Sequence, residues 1–412
     1  MTTESLESAG TIDDTKTHEL SGPALADQLA QDEKLDDSFD ALLELTSRRR
    51  SASSAMLATA IVDEVPVYDA SILDGIPRGS AREHALREEW CSVLKSGAGV
   101  FAVSGAIRDI DMLDAVTRVF EDIIAEEADN DARDHFAAAG ANSRLWNAHE
   151  KLAVRNPELF VRYYANRALA LASDAWLGPC YQVTAQVNVV RPGGEAQTAH
   201  RDYHLGFMNA DDLGRYPRHV HLMSANLTLQ GALAHSNMPL ESGPTRLLPY
   251  SQMWPPGYAA STREDVRNLF SDCFVQLPLE KGDALFFNPA LLHAAGDNRT
   301  SDQHRFANLF QISSAFGRAM EIVDRTRLCR SIYPALLQML EAGQLDAGFL
   351  EDVIASAAEG YPFPANMDLD WGGAGLRPPS QQDIIRDALA ERLSPESFET
   401  VLSANQDRAR SH

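Results

Sequence analysis

The sequence predicts an α+β protein whose β core, roughly residues 180–315, is wrapped by helices from both ends. Three observations carry that expectation. Gln182–Val190 reads QVTAQVNVV, an alternation of period two that suits a strand. Short β-branched and aromatic runs follow, separated by turn signals such as Ser242-Gly243-Pro244 and Lys281-Gly282-Asp283. On both flanks the texture changes to apolar residues at helical spacing. Short strands with turns between them point to a sandwich or barrel-like pair of sheets.

From the N-terminus, residues 1–22 are rich in Thr, Ser, Glu and Asp, the composition of a disordered tail. From Pro23, apolar Leu25, Leu29, Phe39, Leu42 and Leu43 recur at roughly helical spacing. Arg48–Arg50 close this pattern, where cations suit a helix C-terminus. Such an amphipathic helix packs either on the main body or on a second subunit, which leaves a homodimer open. A loop with Pro66 and Pro77 then leads to a helix over Ala81–Lys95, and residues 23–96 together form an N-terminal helical extension. Gly97–Gly105 reads as a strand, Asp111–Glu127 as an amphipathic helix, and Leu152–Trp176 as helical apart from the Asn156-Pro157 break. Beyond Gln182–Val190 the strand candidates are His221–Gln230, Thr245–Pro249, Cys273–Leu277, Asp283–Asn288 and Phe306–Ser313. Residues 97–318 thus make the main domain. Residues 319–412 make a C-terminal helical extension, clearest at Ile332–Ala342 and Gln381–Leu393.

The net charge of −23 over 412 residues disfavours nucleic acid and anionic lipid as partners. Four well-separated cysteines, with no CxxC pair, fit neither a disulfide framework nor a zinc knuckle and suit a reducing cytoplasm. The acidic, polar N-terminus is unlike a secretory signal, and the apolar run Ala52–Val62 is too short to span a membrane. The expectation is a cytoplasmic chain that binds a small molecule, with no membrane partner. Neither GxGxxG nor a Walker A loop stands where a phosphate would need it.

The chemistry concentrates in Thr198-Ala199-His200-Arg201-Asp202-Tyr203-His204. In extended chain, residues i and i+2 share a side, so His200 and Asp202 project together. Imidazole plus carboxylate is two thirds of the 2-His-1-carboxylate face that binds Fe(II) and leaves positions open. His293, ending Phe286-Phe287-Asn288-Pro289-Ala290-Leu291-Leu292-His293, supplies the second histidine. Arg305, twelve residues on and at the start of another strand, offers a planar fork for the far carboxylate of a keto acid. His204, His219, His221 and His235 compete on paper for the histidine positions, with His204 the best placed to line a substrate pocket. Arg299 competes with Arg305, but its Asp297-Asn298-Arg299-Thr300 turn reads as exposed. Arg246 is either a second anion contact or a solvent-facing charge. Tyr203, Phe207 and Trp254 are either pocket walls or simple core.

The order of strand, HxD, SGPTRLLP, GDALFFNPALLHAAGDNRT and arginine resembles the phytanoyl-CoA dioxygenase family of Fe(II)/2-oxoglutarate oxygenases. The resemblance covers roughly Gly97–Ser314. It implies a double-stranded β-helix (a jelly roll, cupin-like core) and iron held by His200, Asp202 and His293. It also implies 2-oxoglutarate anchored by Arg305, with O2 as the second cosubstrate. Asn188 matches a position that often hydrogen-bonds the cosubstrate, and Gln186 shares its face. Tyr250-Ser251-Gln252 departs from the Gly-Ser-His common in the family. Some relatives are halogenases that replace the carboxylate with a small residue, so Asp202 favours hydroxylation of a small metabolite with release of succinate and CO2. Desaturation, epimerisation or cyclisation at the same site is the alternative. A non-catalytic cupin-like binding protein and a zinc hydrolase are readings of other classes; the intact triad with Arg305 argues against the first, and Zn(II) would accept these ligands but leave Arg305 and the strand order unexplained. The absence of a concentrated Lys/Arg cluster argues for a substrate smaller than an acyl-CoA.

Overall fold

The alternation along Gln182–Val190 is realised as a strand of those same residues, and it sits near one edge of a large sheet. The computed structural model describes residues 38–47, 55–127, 142–202, 204–256, 260–369 and 377–410. The expected tail and the beginning of the helix from Pro23 lie outside them. Among the described residues the strands are β1 (Ala60–Val62), β2 (Val65–Asp69), β3 (Val100–Ser104), β4 (Asn142–Leu145), β5 (Gln182–Val190), β6 (Thr228–Ala234), β7 (Arg246–Leu247), β8 (Val275–Gln276), β9 (Ala284–Phe287), β10 (His293–Ala294) and β11 (Arg305–Ser313). The major sheet runs β1-β2-β3-β9-β6-β11-β5-β4, antiparallel except where β2 lies parallel to β3. The minor sheet runs β10-β7-β8 and is extended by an antiparallel bridge between His200 and His293.

Period-two alternation divides the major sheet into two chemically different faces. On β5, Val183, Ala185, Val187 and Val189 join a helix-covered core, while Gln186 and Asn188 face a cavity. On β11, Phe306, Phe310 and Ile312 belong to that core; Arg305, Ala307, Leu309 and Gln311 turn the other way. On the core side, Trp90 stacks on Phe101 at 4.7 Å, and Phe101 meets Phe286 at 5.5 Å. Each such ring stabilises the fold by about 1.5–3 kcal/mol when fully buried. Helix α1 (Phe39–Ser47) instead packs behind the minor sheet, where Leu42 and Leu45 meet Trp254, Phe270 and Leu292. Its described part therefore lies on the main body. Helices α2 (Ala81–Ser96), α3 (Ile110–Glu127), α4 (Ala148–Arg155), α5 (Pro157–Tyr164) and α6 (Arg167–Leu177) cover the outer face of the major sheet. The Asn156-Pro157 break is a cap: Asn156 Oδ1 accepts from the Leu159 N–H at 3.1 Å, and Asn166 does the same for Leu169 at 3.0 Å.

Two expectations need correction. The stretch expected as a loop around Pro66 supplies β1 and β2, since proline's fixed φ is compatible with extended chain. The strand expected over His221–Gln230 begins instead with the end of helix α7 (Arg218–Ser224) and a 3-10 turn over Ala225–Leu227, and β6 begins only at Thr228. Pro217 offers its carbonyl to the N–H groups of Val220 and His221, which starts the helix, and Asn226 Nδ2 caps Leu222 at its end. Helix α8 (Glu264–Cys273) leads into β8. Then α9 (Arg325–Glu341), α10 (Ala347–Ala357), α11 (Gln381–Ala390) and α12 (Pro395–Ala409) close the chain around the helix-side core. No helix among the described residues is long and apolar enough to cross a membrane.

Candidate metal centre

The bridge between His200 and His293 is a reciprocal pair of backbone hydrogen bonds, 3.0 and 3.1 Å, and it brings the two imidazole rings to 4.5 Å. Alternation then sends Arg201 away from them, into the core, where it donates to the carbonyls of Trp254 and Ser251. Each imidazole places its Nδ1 against a carbonyl two residues back: Thr198 for His200 at 2.8 Å, Leu291 for His293 at 2.9 Å. A carbonyl only accepts, so Nδ1 carries the proton and Nε2 keeps its lone pair. Both Nε2 atoms face Asp202, at 3.5 Å from Oδ1 for His200 and 3.4 Å from Oδ2 for His293. The three donor atoms lie within 4.8 Å of one another, and the 3.4–3.5 Å between each Nε2 and the carboxylate is a separation that one cation with bonds of about 2.1 Å can bridge.

Burial pushes the Asp202 carboxyl up, but His200, His293 and Gln230 together outweigh it and hold it below the usual carboxylate range. Burial pushes His200 down, towards the neutral form. An ionised carboxylate beside a neutral imidazole is what a divalent metal requires of its ligands. Gln230 Nε2 on β6 donates to Asp202 Oδ2 at 2.8 Å and so fixes the carboxylate plane.

These residues open on a cavity also lined by Asn188, Gln186, Arg305, Arg144, Trp146 and Gln311. Arg305 is buried, and burial pushes its guanidinium down to about 10. Its described contacts are long ones to the carbonyls of Ser242 (3.5 Å) and Gly296 (3.4 Å), and among the described residues no carboxylate pairs with it. A buried cation without an acid partner is costly unless an anion joins it. Gly243 lets the two carbonyl-bearing loops meet: its φ is +70°, and a Cβ there would lie 2.2 Å from the Asp297 carbonyl oxygen.

The other expected residues divide. Gln186 and Asn188 both line the cavity; Gln186 Oε1 accepts from Arg144 at 2.7 Å, and Asn188 Oδ1 is buried without a partner among the described residues. Arg246 is not among the residues lining this cavity. Its neighbours Thr245 and Leu247 turn inwards, so Arg246 points out and donates to the carbonyls of Gln197 and Ala295 beside the Phe274 ring. His204 is half-buried beside Thr228 Oγ1 at 3.4 Å and is not among the residues lining this cavity. Tyr203 and the Phe207 side chain lie outside what is described. Trp254 is core, its Nε1 donating to Ser38. His235 is buried on the helix side between Thr117 and Tyr163, and Arg299 is exposed. Gln230, Arg144, Trp146 and Gln311 were not anticipated. The inward alternation of Thr228, Gln230 and Ala232 was a usable signal for the first; the four-residue β4 gave none for Arg144.

The Tyr250-Ser251-Gln252 departure keeps its structural role. Tyr250 takes φ +70°, a conformation natural to the glycine common there, and its hydroxyl reaches Glu64 at 2.9 Å. Ser251 Oγ accepts from the Leu292 N–H at 2.8 Å, and Gln252 Nε2 donates to Gly97 at 2.9 Å.

Dioxygenase andF of Emericella variicolor is 29% identical over 119 residues, 28% of this chain and 35% of that protein. Dioxygenase trt7 of Aspergillus terreus is 27% identical over 143 residues, 35% of this chain and 43% of that protein. The match thus spans less than half of either relative. Among solved structures, the non-haem alpha ketoglutarate dependent epimerase SnoN from nogalamycin biosynthesis aligns with a TM-score of 0.42 at 16% identity, over 56% of this chain and 84% of that one. The carbocyclase SnoK from the same biosynthesis aligns with a TM-score of 0.41 at 17% identity, over 59% and 85%. Residues 96–307, just over half of the sequence and inclusive of the His-Asp-His cluster and Arg305, match the phytanoyl-CoA dioxygenase (PhyH) family, and the chain belongs to that family.

Proposed function

We propose that the chain is an Fe(II)- and 2-oxoglutarate-dependent dioxygenase that hydroxylates a small molecule, with a double-stranded β-helix formed by its two facing sheets. The observation that carries this reading is the convergence of two imidazole Nε2 atoms and one carboxylate in a cavity that also holds a buried arginine with no acid partner among the described residues. The donor set suits Fe(II) and the buried Arg305 suits a keto diacid, so the residues fit both groups. When bound, iron, 2-oxoglutarate and O2 supply the oxidising chemistry.

The chain's own contribution is placement. His200 and His293 present fixed tautomers, because their Nδ1 protons are committed to carbonyls. Asp202 brings the single negative charge, held in orientation by Gln230. Arg305 receives the far carboxylate through a planar fork. Asn188 offers a buried amide on the same wall, and the apolar side chains of Phe287, Leu309 and Met320 keep the cavity dry.

The test is anaerobic addition of Fe(II) and 2-oxoglutarate to metal-free protein, with His200→Ala alongside. Keto-acid chelation to ferrous iron gives a weak visible charge-transfer band without any known substrate. A band in the wild type that His200→Ala abolishes supports the reading. Tight iron binding without a band sinks the 2-oxoglutarate claim, and absence of metal binding by folded protein sinks the whole of it. Succinate release against a substrate panel, with product analysis, then separates hydroxylation from desaturation, epimerisation or cyclisation.

A further inference from the structure

Gln230 on β6 and Gln311 on β11 are directly opposite each other in the antiparallel register. Both side chains face the cavity that holds His200 and Asp202, and both residues are buried, 5% and 8% exposed. The two amides do not satisfy each other. Gln230 Oε1 and Gln311 Oε1 are each buried with no hydrogen-bond partner among the described residues. A buried unsatisfied acceptor is unfavourable, and two side by side on a cavity wall imply a ligand that supplies what is missing.

The chemistry of that ligand follows from what each amide can present. Gln230 cannot turn over, because its N–H₂ is committed to Asp202 at 2.8 Å; it therefore offers an oxygen, which only accepts. Gln311 has no such commitment and can show either its oxygen or its N–H₂. One fixed acceptor beside one adaptable amide suits a group that both donates and accepts. We propose that Gln230 and Gln311 form the substrate-orienting subsite, and that the substrate carries a neutral hydroxyl or secondary amide seated there, next to Asp202. The assignment rests on the oxygenase reading above and narrows its substrate class.

Matched fragment pairs test it: benzyl alcohol against benzyl methyl ether, and acetanilide against N-methylacetanilide. Binding is followed by ligand-observed NMR on the full-length chain loaded with Zn(II) and 2-oxoglutarate, for wild type and Gln311→Leu. The donor-bearing member of each pair is expected to bind about tenfold more tightly than its methylated partner, because Gln230 accepts its proton, and Gln311→Leu to weaken the donor-bearing member about tenfold. The variant is also expected to melt at or above the wild-type temperature, because an unsatisfied amide is replaced by an apolar side chain of similar size. Equal binding within the pairs, no binding by either member, or a donor-bearing member that binds Gln311→Leu as tightly as the wild type overturns the proposal. So does a marked fall in melting temperature, which would make Gln311 a structural residue. Failure of the oxygenase reading is seen separately, as absence of the ferrous charge-transfer band in the wild type.

Discussion

Gln230 Nε2 lies 2.8 Å from Asp202 Oδ2, so a strand at the centre of the major sheet holds the carboxylate that faces both histidine Nε2 atoms. The loop bearing Asp202 has few other means of fixing that side chain. Gln230→Leu removes the brace and leaves the ligand set itself intact. Metal affinity is expected to fall by about 10–100-fold, the usual effect of losing a partner of a metal ligand. A competitive Fe(II) or Mn(II) titration reads this directly, and an unchanged affinity would mean that the bond does not orient Asp202.

That residue also marks the limit of what the sequence reveals. His200, Asp202 and His293 are legible because extended chain puts i and i+2 on one side and because His293 follows an apolar strand. Arg305 is legible as the first residue of β11. Gln230 belongs to a stretch that reads as a strand from His221, yet Pro217 starts a helix there and the strand begins at Thr228. Alternation tells which face a residue takes once the strand is known, but not which strands become neighbours. The pairing of β6 with β11, and hence of Gln230 with Gln311, is set by long-range packing and has no local signature. Arg144 is hidden for a different reason: β4 is four residues long, too short for a period to show.

Ser251 is a second brace, on the histidine side. Its Oγ accepts from the Leu292 N–H at 2.8 Å, immediately before His293. Ser251→Ala leaves that buried N–H without a partner at a cost of about 1–3 kcal/mol. The Arg201 bond survives, since it uses the Ser251 carbonyl. The expected outcome is a lower urea midpoint with unchanged slope, together with weaker metal binding. A variant as stable as the wild type would show that Leu292 finds another acceptor.

Glu321 gives the stability a pH dependence. Burial, its largest influence, raises the carboxyl to about 7 in spite of the Asn147 N–H, Lys151 and Arg144 nearby. A carboxyl whose folded value exceeds its unfolded value of 4.5 contributes stability that is complete below pH 4.5 and is lost as pH rises through 7. Glu321→Gln removes the titration. Between pH 5 and pH 8 the wild type is expected to lose about 1–3 kcal/mol relative to the variant. Parallel urea melts at the two pH values measure it; identical pH slopes for the two proteins would count against a buried Glu321 proton.

Arg305 carries opposite demands of stability and function. Burial pushes its guanidinium from its ordinary value down to about 10, so at neutral pH the folded chain keeps a desolvated cation. The penalty is complete below pH 10 and is relieved only as pH rises from 10 towards 12.5, where the unfolded chain binds more protons. A shift of that size corresponds to roughly 3 kcal/mol. Arg305→Met fills a similar space without charge. In the absence of 2-oxoglutarate it is expected to melt a few degrees above the wild type. Its affinity for 2-oxoglutarate, measured on the metal-loaded protein, is expected to fall by roughly 100-fold or more, since the far carboxylate loses its partner. The keto acid at 100 times its dissociation constant for the wild type should stabilise the wild type by about 2.7 kcal/mol and the variant far less, and so close most of the gap between the two melting temperatures. If Arg305→Met instead melts lower without the keto acid, the long contacts to Ser242 and Gly296 are what the arginine is for, and the anion-anchor role fails.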